Sequence, residues 1–211
     1  MVGASNKSYH FAKCSRLWLA RVIKSYHFVN IGGIYSIMNK YLLFFRRLNM
    51  EVKEGYVYHI KSEFFDLAKD DMLMKNHEGK ATRPHYFCLK NEEDGIIWMI
   101  PMSSKVQKYK VVVESKIKKY KQCDTIVIGN YRGKDHAFLL QNMFPITEKY
   151  IDHIDTVKGI AIRVAAETRR EIVSKVNKIF ILKEKGINLI FPDVDRIKRV
   201  LLEENSLFAM S

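Results

Sequence analysis

RPHYFCLKNEEDGIIWMIPMSSKVQKY, residues Arg83–Tyr109, carries the pattern that decides the fold class. HYFCLK (His85–Lys90) and IIWMIPM (Ile96–Met102) are two runs of β-formers on either side of the turn-like NEEDG, which predicts a β-hairpin. Pro101 lacks a backbone N–H, so the second strand is expected to lie at a sheet edge or to stop there. Val106, Tyr109, Val113, Ile117 and Tyr120 then recur at three- and four-residue steps, predicting a helix with one buried stripe. Ser104 and Gln107 fit the S-x-x-Q capping box at its start.

The same reading extends outward in both directions. Upstream, GYVYHI (Gly55–Ile60) predicts a strand, and Ser62 ahead of EFFDLA fits an N-cap and a short helix with Glu63 and Asp66 in its first turn. KNHEGKATR (Lys75–Arg83) is polar and predicts a loop. Downstream, TIVIGN (Thr125–Asn130) and HAFLLQ (His136–Gln141) predict two strands around the turn-like YRGKD. Beyond Pro145 the spacing of Val157, Ile160, Ala161, Val164, Thr168, Ile172, Val176 and Ile179 predicts one long helix ending near Gly186. A last short helix is expected from about Asp193 through IKRVLLEE. Five strands interrupted by helices, with a helical C-terminal part, imply an α+β domain around an antiparallel sheet or partly open barrel.

Charge divides the chain in two. Residues 1–49 hold eight basic residues and no Asp or Glu, leaving 28 basic and 23 acidic residues over positions 50–211. The first region also repeats KSYHF, at Lys7–Phe11 and again at Lys24–Phe28. Three readings compete for it: a basic nucleic-acid-binding arm, a targeting peptide, or upstream DNA translated from an early start codon. The last requires the fewest assumptions and makes Met50 the expected native start, with 50–211 as a single domain. A net charge of +13 makes a polyanion the default partner, with a merely basic surface as the plain alternative. Cys14, Cys88 and Cys123 are odd in number and lack CxxC spacing, so they read as reduced thiols in a cytoplasmic protein. Val29–Phe45 is the nearest approach to a membrane span, but Lys40, Asn30, Asn39, Gly32 and Gly33 interrupt it, and no membrane partner is expected.

No HxH or HExxH spacing occurs among the seven histidines, and no phosphate-binding glycine loop or Gly-x-Ser-x-Gly elbow is present. Neither a metal nor a cofactor is expected. The strand-to-helix junction PMSSKVQKY is the most informative place. A helix start offers free N–H groups to a phosphate, and Ser103, Ser104 and Lys105 add hydroxyls and a full charge; simple capping by Ser104 is the plain reading. His85 could move a proton to or from an RNA hydroxyl, Arg83 could stabilise charge on phosphate, and Tyr86 could stack a base. Each could equally be a strand end without a role. Tyr58 and His59 are weaker candidates, since alternation sends one of them inward and Tyr58 fits the core. Lys116, Lys118 and Lys119 on the first long helix and Arg163, Arg169 and Arg170 on the second are the basic positions for a larger RNA surface, or else a solvated face.

GYVYHIKSEFFDL (55–67), RPHYFCLK (83–90), IIWMIPMSSKVQKY (96–109), CDTIVIGN (123–130) and AFLLQNMFPIT (137–147) together resemble the endoribonuclease toxins of type III toxin–antitoxin systems. The likeness is to the CptN-like members and more remotely to ToxN and AbiQ, and it covers residues 50 to about 180. It implies a MazF-like core, a twisted antiparallel sheet with added helices. It also implies metal-independent RNA cleavage to a cyclic phosphate and a 5′-hydroxyl. The implied partners are a target mRNA and a structured antitoxin RNA that the toxin processes from repeats, in a closed protein–RNA hetero-oligomer. Relatives place hydroxyls and a lysine in a Thr/Ser-Ser-Pro-Lys stretch. Ser103 and Ser104 match the hydroxyls, while either Lys105 or Lys108 fills the lysine's place, with Tyr109 beside them among the RNA-contacting residues. A non-catalytic basic RNA-binding or regulatory module is the rival class.

Overall fold

The computed structural model describes residues 52–74, 76–78 and 81–209, all within one compact unit, Val52–Ser211. The basic region, its KSYHF repeat and the expected start at Met50 lie outside the described residues. In chain order the elements are β1 (Val57–Ile60), α1 (Ser62–Ala68), β2 (His77–Glu78), β3 (Ala81–Thr82), β4 (His85–Lys90), β5 (Ile97–Ser103) and α2 (Val106–Tyr120). They continue with β6 (Ile126–Tyr131), β7 (Lys134–Leu139), β8 (Phe144–Ile146), β9 (Ile151–Ile154), β10 (Thr156–Val157), β11 (Ile160–Ala161), α3 (Ala166–Glu184) and α4 (Val194–Ala209). Seven strands form one antiparallel sheet in the order β6-β7-β5-β4-β1-β9, with β8 added against β5. The class is therefore α+β, with a sheet that does not close and helices at the C-terminal end.

The β4–β5 hairpin forms as expected, with a bulge between Phe87 and Leu89. Its turn is held by side-chain oxygens: Asn91 Oδ1 accepts from the Glu93 N–H and Asp94 Oδ1 from the Ile96 N–H, each at 3.0 Å. The expectation for Pro101 fails, because β5 is central and runs on to Ser103. The Met102 N–H donates to Pro84 O at 3.0 Å, so alternation turns the Pro101 nitrogen away from β4. On that side β8 pairs Ile97–Met99 and β7 pairs Met102–Ser103, and Pro101 falls in the gap between them. A missing donor costs the ladder nothing there.

Residues read as loop or helix prove to be strands. Part of KNHEGKATR forms the β2–β3 hairpin, and the chain after Pro145 continues through β8 to β11. Val157, Ile160 and Ala161 belong to the β10–β11 hairpin, so the long helix begins only at Ala166. Within α3 the stripe Thr168, Ile172, Val176 and Ile179 is buried as its spacing requires. Its end is a Schellman motif: Gly186 has φ +82°, its N–H donates to Lys183 O, and the Ile187 N–H donates to Leu182 O. Asp193 caps α4 by accepting from the Arg196 N–H at 3.1 Å.

Alternation along the strands sorts two cores. Val57, Tyr86, Ile100, Met102, Val127 and Phe138 face α3 and α4. On the opposite face Ile126, Ala137 and Leu139 lie under Tyr109, Val112 and Val113 of α2. Helix α2 buries none of its residues fully, and the expected stripe stops short: Ile117 is 46% and Tyr120 60% exposed. The cause is position. Strand β6 is the sheet's edge, and Ile117 looks onto an open groove of about 440 Å³ between α2, β6 and α3.

Candidate functional site

On β1, Tyr58 and Ile60 point to one face, so His59 points to the other, with Val57. Strand β9 sets His153 directly opposite, and the two imidazoles stack at 4.5 Å with 14° between planes. Asp155 follows β9, anchored by its N–H to Val57 O at 2.8 Å. Its carboxylate is almost enclosed. It accepts the Tyr131 hydroxyl at 2.9 Å and Arg132 Nη1 at 3.1 Å, and it lies 3.8 Å from His59 Nε2. The other side of the His59 ring is held as well, with Nδ1 2.6 Å from Thr82 Oγ1.

The β6–β7 hairpin delivers Arg132. Its two-residue turn has positive φ at both Arg132 (+58°) and Gly133 (+75°), the type I′ geometry whose twist suits a hairpin. Strands β6 and β9 are the two ends of the sheet order, and the Tyr131–Asp155 hydrogen bond joins them. The curl of the sheet thus gathers His59, Thr82, Tyr131, Arg132, His153 and Asp155 from four separate segments.

Electrostatics divides the labour. Burial lowers the His59 pKa below the ordinary histidine value, and His153 lowers it further against the opposing carboxylates of Asp155 and Asp152. At neutral pH the ring is therefore mostly neutral and able to take up a proton. Burial, then the charge of Asp155, raises the Tyr131 pKa, so that hydroxyl stays protonated as a donor. The Arg132 side chain is 42% exposed and can reach an anion in solvent. Together these groups can abstract a proton and stabilise negative charge on a phosphate.

Sequence reasoning placed its candidates differently. His85 is completely buried, between Phe65 and Phe144, and neither ring nitrogen has a hydrogen-bond partner. It cannot exchange a proton with RNA from there. Tyr86 and Tyr58 are also buried: Tyr86 sits edge-on to Phe138, and the Tyr58 hydroxyl contacts the Lys53 backbone, so neither can stack a base. Arg83 is buried and donates to Met102 O at 3.0 Å, tying the segment that carries Thr82 to the end of β5. Ser103 is buried, and its Oγ accepts from the Lys105 N–H. Ser104 and Lys105 are exposed, but the helix starts at Val106 with Lys105 in the cap position and no side-chain cap. The capping box is absent, so Ser104→Ala removes no cap energy.

Among the basic candidates, Lys116 is committed to structure, donating to Thr125 Oγ1 at 2.6 Å and Gln141 Oε1 at 2.8 Å. Lys108, Lys118 and Lys119 are exposed, and Lys119 lies over the Tyr120 ring, while Tyr109 is half-buried against the sheet. Arg163 precedes α3 rather than lying on it, its guanidinium over Tyr56, while Arg169 Nε donates to Val164 O and Arg170 is exposed. Thr82, Arg132, His153 and Asp155 were missed. IDHID (151–155) has no regular apolar alternation and lies inside a region read as helical, so no period-2 signal marked it as a strand. Among the described residues no group of three or more His, Cys, Asp or Glu could hold a metal ion, and no helix is long and apolar enough to cross a membrane. No family model matches the chain, and no curated protein matches it.

His85 has a consequence for stability. Burial, then the charge of Arg83, pushes its pKa down to about 3. The unfolded chain takes up a proton at pH ~6.5, whereas the folded chain does not. The stability this neutral ring retains is thus complete above that pH and is lost as pH falls toward 3. His85→Phe should flatten the fall of the melting temperature between neutral and mildly acid pH. Parallel curves for the two proteins would assign acid lability elsewhere.

Proposed function

We propose that this protein is the toxin of a type III toxin–antitoxin system, a metal-independent endoribonuclease acting in the cytoplasm. The observation that carries the reading is a mostly neutral His59 backed by the Asp155 carboxylate, with the half-exposed Arg132 beside it. RNA cleavage needs little more. A base removes the 2′-hydroxyl proton, the 2′-oxygen attacks phosphorus, and a cation stabilises the charge that develops before the 5′-oxygen leaves. Cyclic phosphate and 5′-hydroxyl ends follow. The excess of 28 basic over 23 acidic residues across positions 50–211 and the exposed Lys108, Lys118 and Lys119 of α2 favour a polyanionic substrate and a structured antitoxin RNA as inhibitor.

Incubating the full chain with single-stranded RNA, with and without a chelator, tests this. Cleavage that survives chelation and leaves cyclic phosphate ends is expected. Growth arrest on expression should be relieved by RNA transcribed from repeats upstream of the gene. Tight RNA binding without strand scission would instead identify a non-catalytic RNA-binding module.

A further inference from the structure

Both ring nitrogens of His59 face protein groups. Nε2 lies 3.8 Å from the Asp155 carboxylate, and Nδ1 meets Thr82 Oγ1 at 2.6 Å. An ionised carboxylate only accepts hydrogen bonds, so the hydrogen of the neutral ring belongs on Nε2, toward Asp155. Nδ1 is then an acceptor, and the Thr82 hydroxyl must be its donor. Both nitrogens face protein groups, and the one that accepts a proton is the one against Thr82. Thr82, half-buried on the short strand β3, keeps lone pairs that can accept a second proton.

We propose that Thr82 is a catalytic hydroxyl, the relay through which His59 takes the RNA 2′-hydroxyl proton. The proposal rests on the RNA-cleaving reading and names a residue for it. As the 2′-oxygen–phosphorus bond forms and the phosphorus–5′-oxygen bond breaks, the 2′-hydroxyl proton moves to Thr82 Oγ1. The Thr82 proton moves to His59 Nδ1, and the departing 5′-oxygen takes a proton from solvent. The imidazolium formed lies beside the Asp155 carboxylate and returns its proton to water after product leaves. Thr82 plays the part that a nucleophilic hydroxyl plays beside a histidine–carboxylate pair, except that it passes the proton on and forms no bond to phosphorus.

The test uses the full chain with Thr82→Val, which keeps the shape and removes the hydroxyl, and Thr82→Ser, which restores it. On a short single-stranded RNA, Thr82→Val should lower kcat by about 10²–10⁴-fold with KM nearly unchanged, and Thr82→Ser should recover most of the loss. Nitrogen-15 NMR of the histidines reads the same contact without any substrate. The His59 ring should be the Nε2–H tautomer, with Nδ1 hydrogen-bonded in wild type and not in Thr82→Val. An Nδ1–H tautomer, or full kcat in a folded Thr82→Val, overturns the relay while leaving RNA cleavage intact. A wild-type protein that cleaves no RNA overturns both. Melting temperatures of the variants separate lost chemistry from lost fold.

Discussion

His59→Gln is expected to slow RNA cleavage by about 10²–10⁴-fold, equivalent to about 3–5 kcal/mol in the barrier. Glutamine is close to histidine in length and offers both a donor and an acceptor, so Thr82 and Asp155 keep a hydrogen-bonding neighbour. It has no accessible pKa and cannot carry a proton away. Asp155 retains Tyr131 and Arg132, so its buried charge is not orphaned. The melting temperature should therefore move little while kcat collapses. Unchanged kcat in a folded His59→Gln protein would remove His59 from the chemistry and return attention to the exposed Ser104–Lys105 junction.

Gly129→Ala is expected to destabilise the fold by about 1–3 kcal/mol, through overpacking alone. Strand β6 and helix α3 approach closely here. A methyl group built on Gly129 would lie 2.3 Å from Thr168 Cγ2, 2.5 Å from its Oγ1 and 2.9 Å from its Cβ. No rotamer of Thr168 relieves all three contacts, because the last is to the atom bonded to the backbone. Either α3 moves or β6 bends. In a chain of this size the cost corresponds to a fall of very roughly 2–12 °C in melting temperature. Thr168→Gly in the same chain should restore much of the loss, less about 1 kcal/mol for glycine in a helix. Additive effects in the double-mutant cycle would show that the two positions do not meet.

The parts of the fold legible in the sequence were those held by local chemistry. NEEDG states its own turn through Asn91 and Asp94, and YRGKD states its own through Gly133. Ile172, Val176 and Ile179 state the buried face of α3. The parts misread were decided by partners distant in sequence. Pro101 sits mid-sheet because the strands beside β5 change at that point. The spacing of Val157, Ile160 and Ala161 fits a helix, but these residues form a hairpin ahead of α3, where pairing overrides periodicity. The site follows the same rule. RPHY offered the right residue types for RNA chemistry, yet β-sheet alternation sends His85 and Tyr86 into opposite cores. His59 emerges in their stead, beside groups that only the curl of the sheet brings near.

That curl also governs when the candidate site is assembled during synthesis. Thr82 and His59 leave the ribosome early, Arg132 later, and His153 and Asp155 later still. The core facing α3 and α4 lacks its last wall until Val194 has been added. Strand β1 finds one of its two neighbours, β9, only after most of the chain is out, and such non-local pairing is slow to form. A nascent chain therefore holds the proton acceptor without the carboxylate and arginine that complete the site. Under the proposed RNA-cleaving function, the ribosome would finish most of its work on this message before a protein able to cut that message had formed.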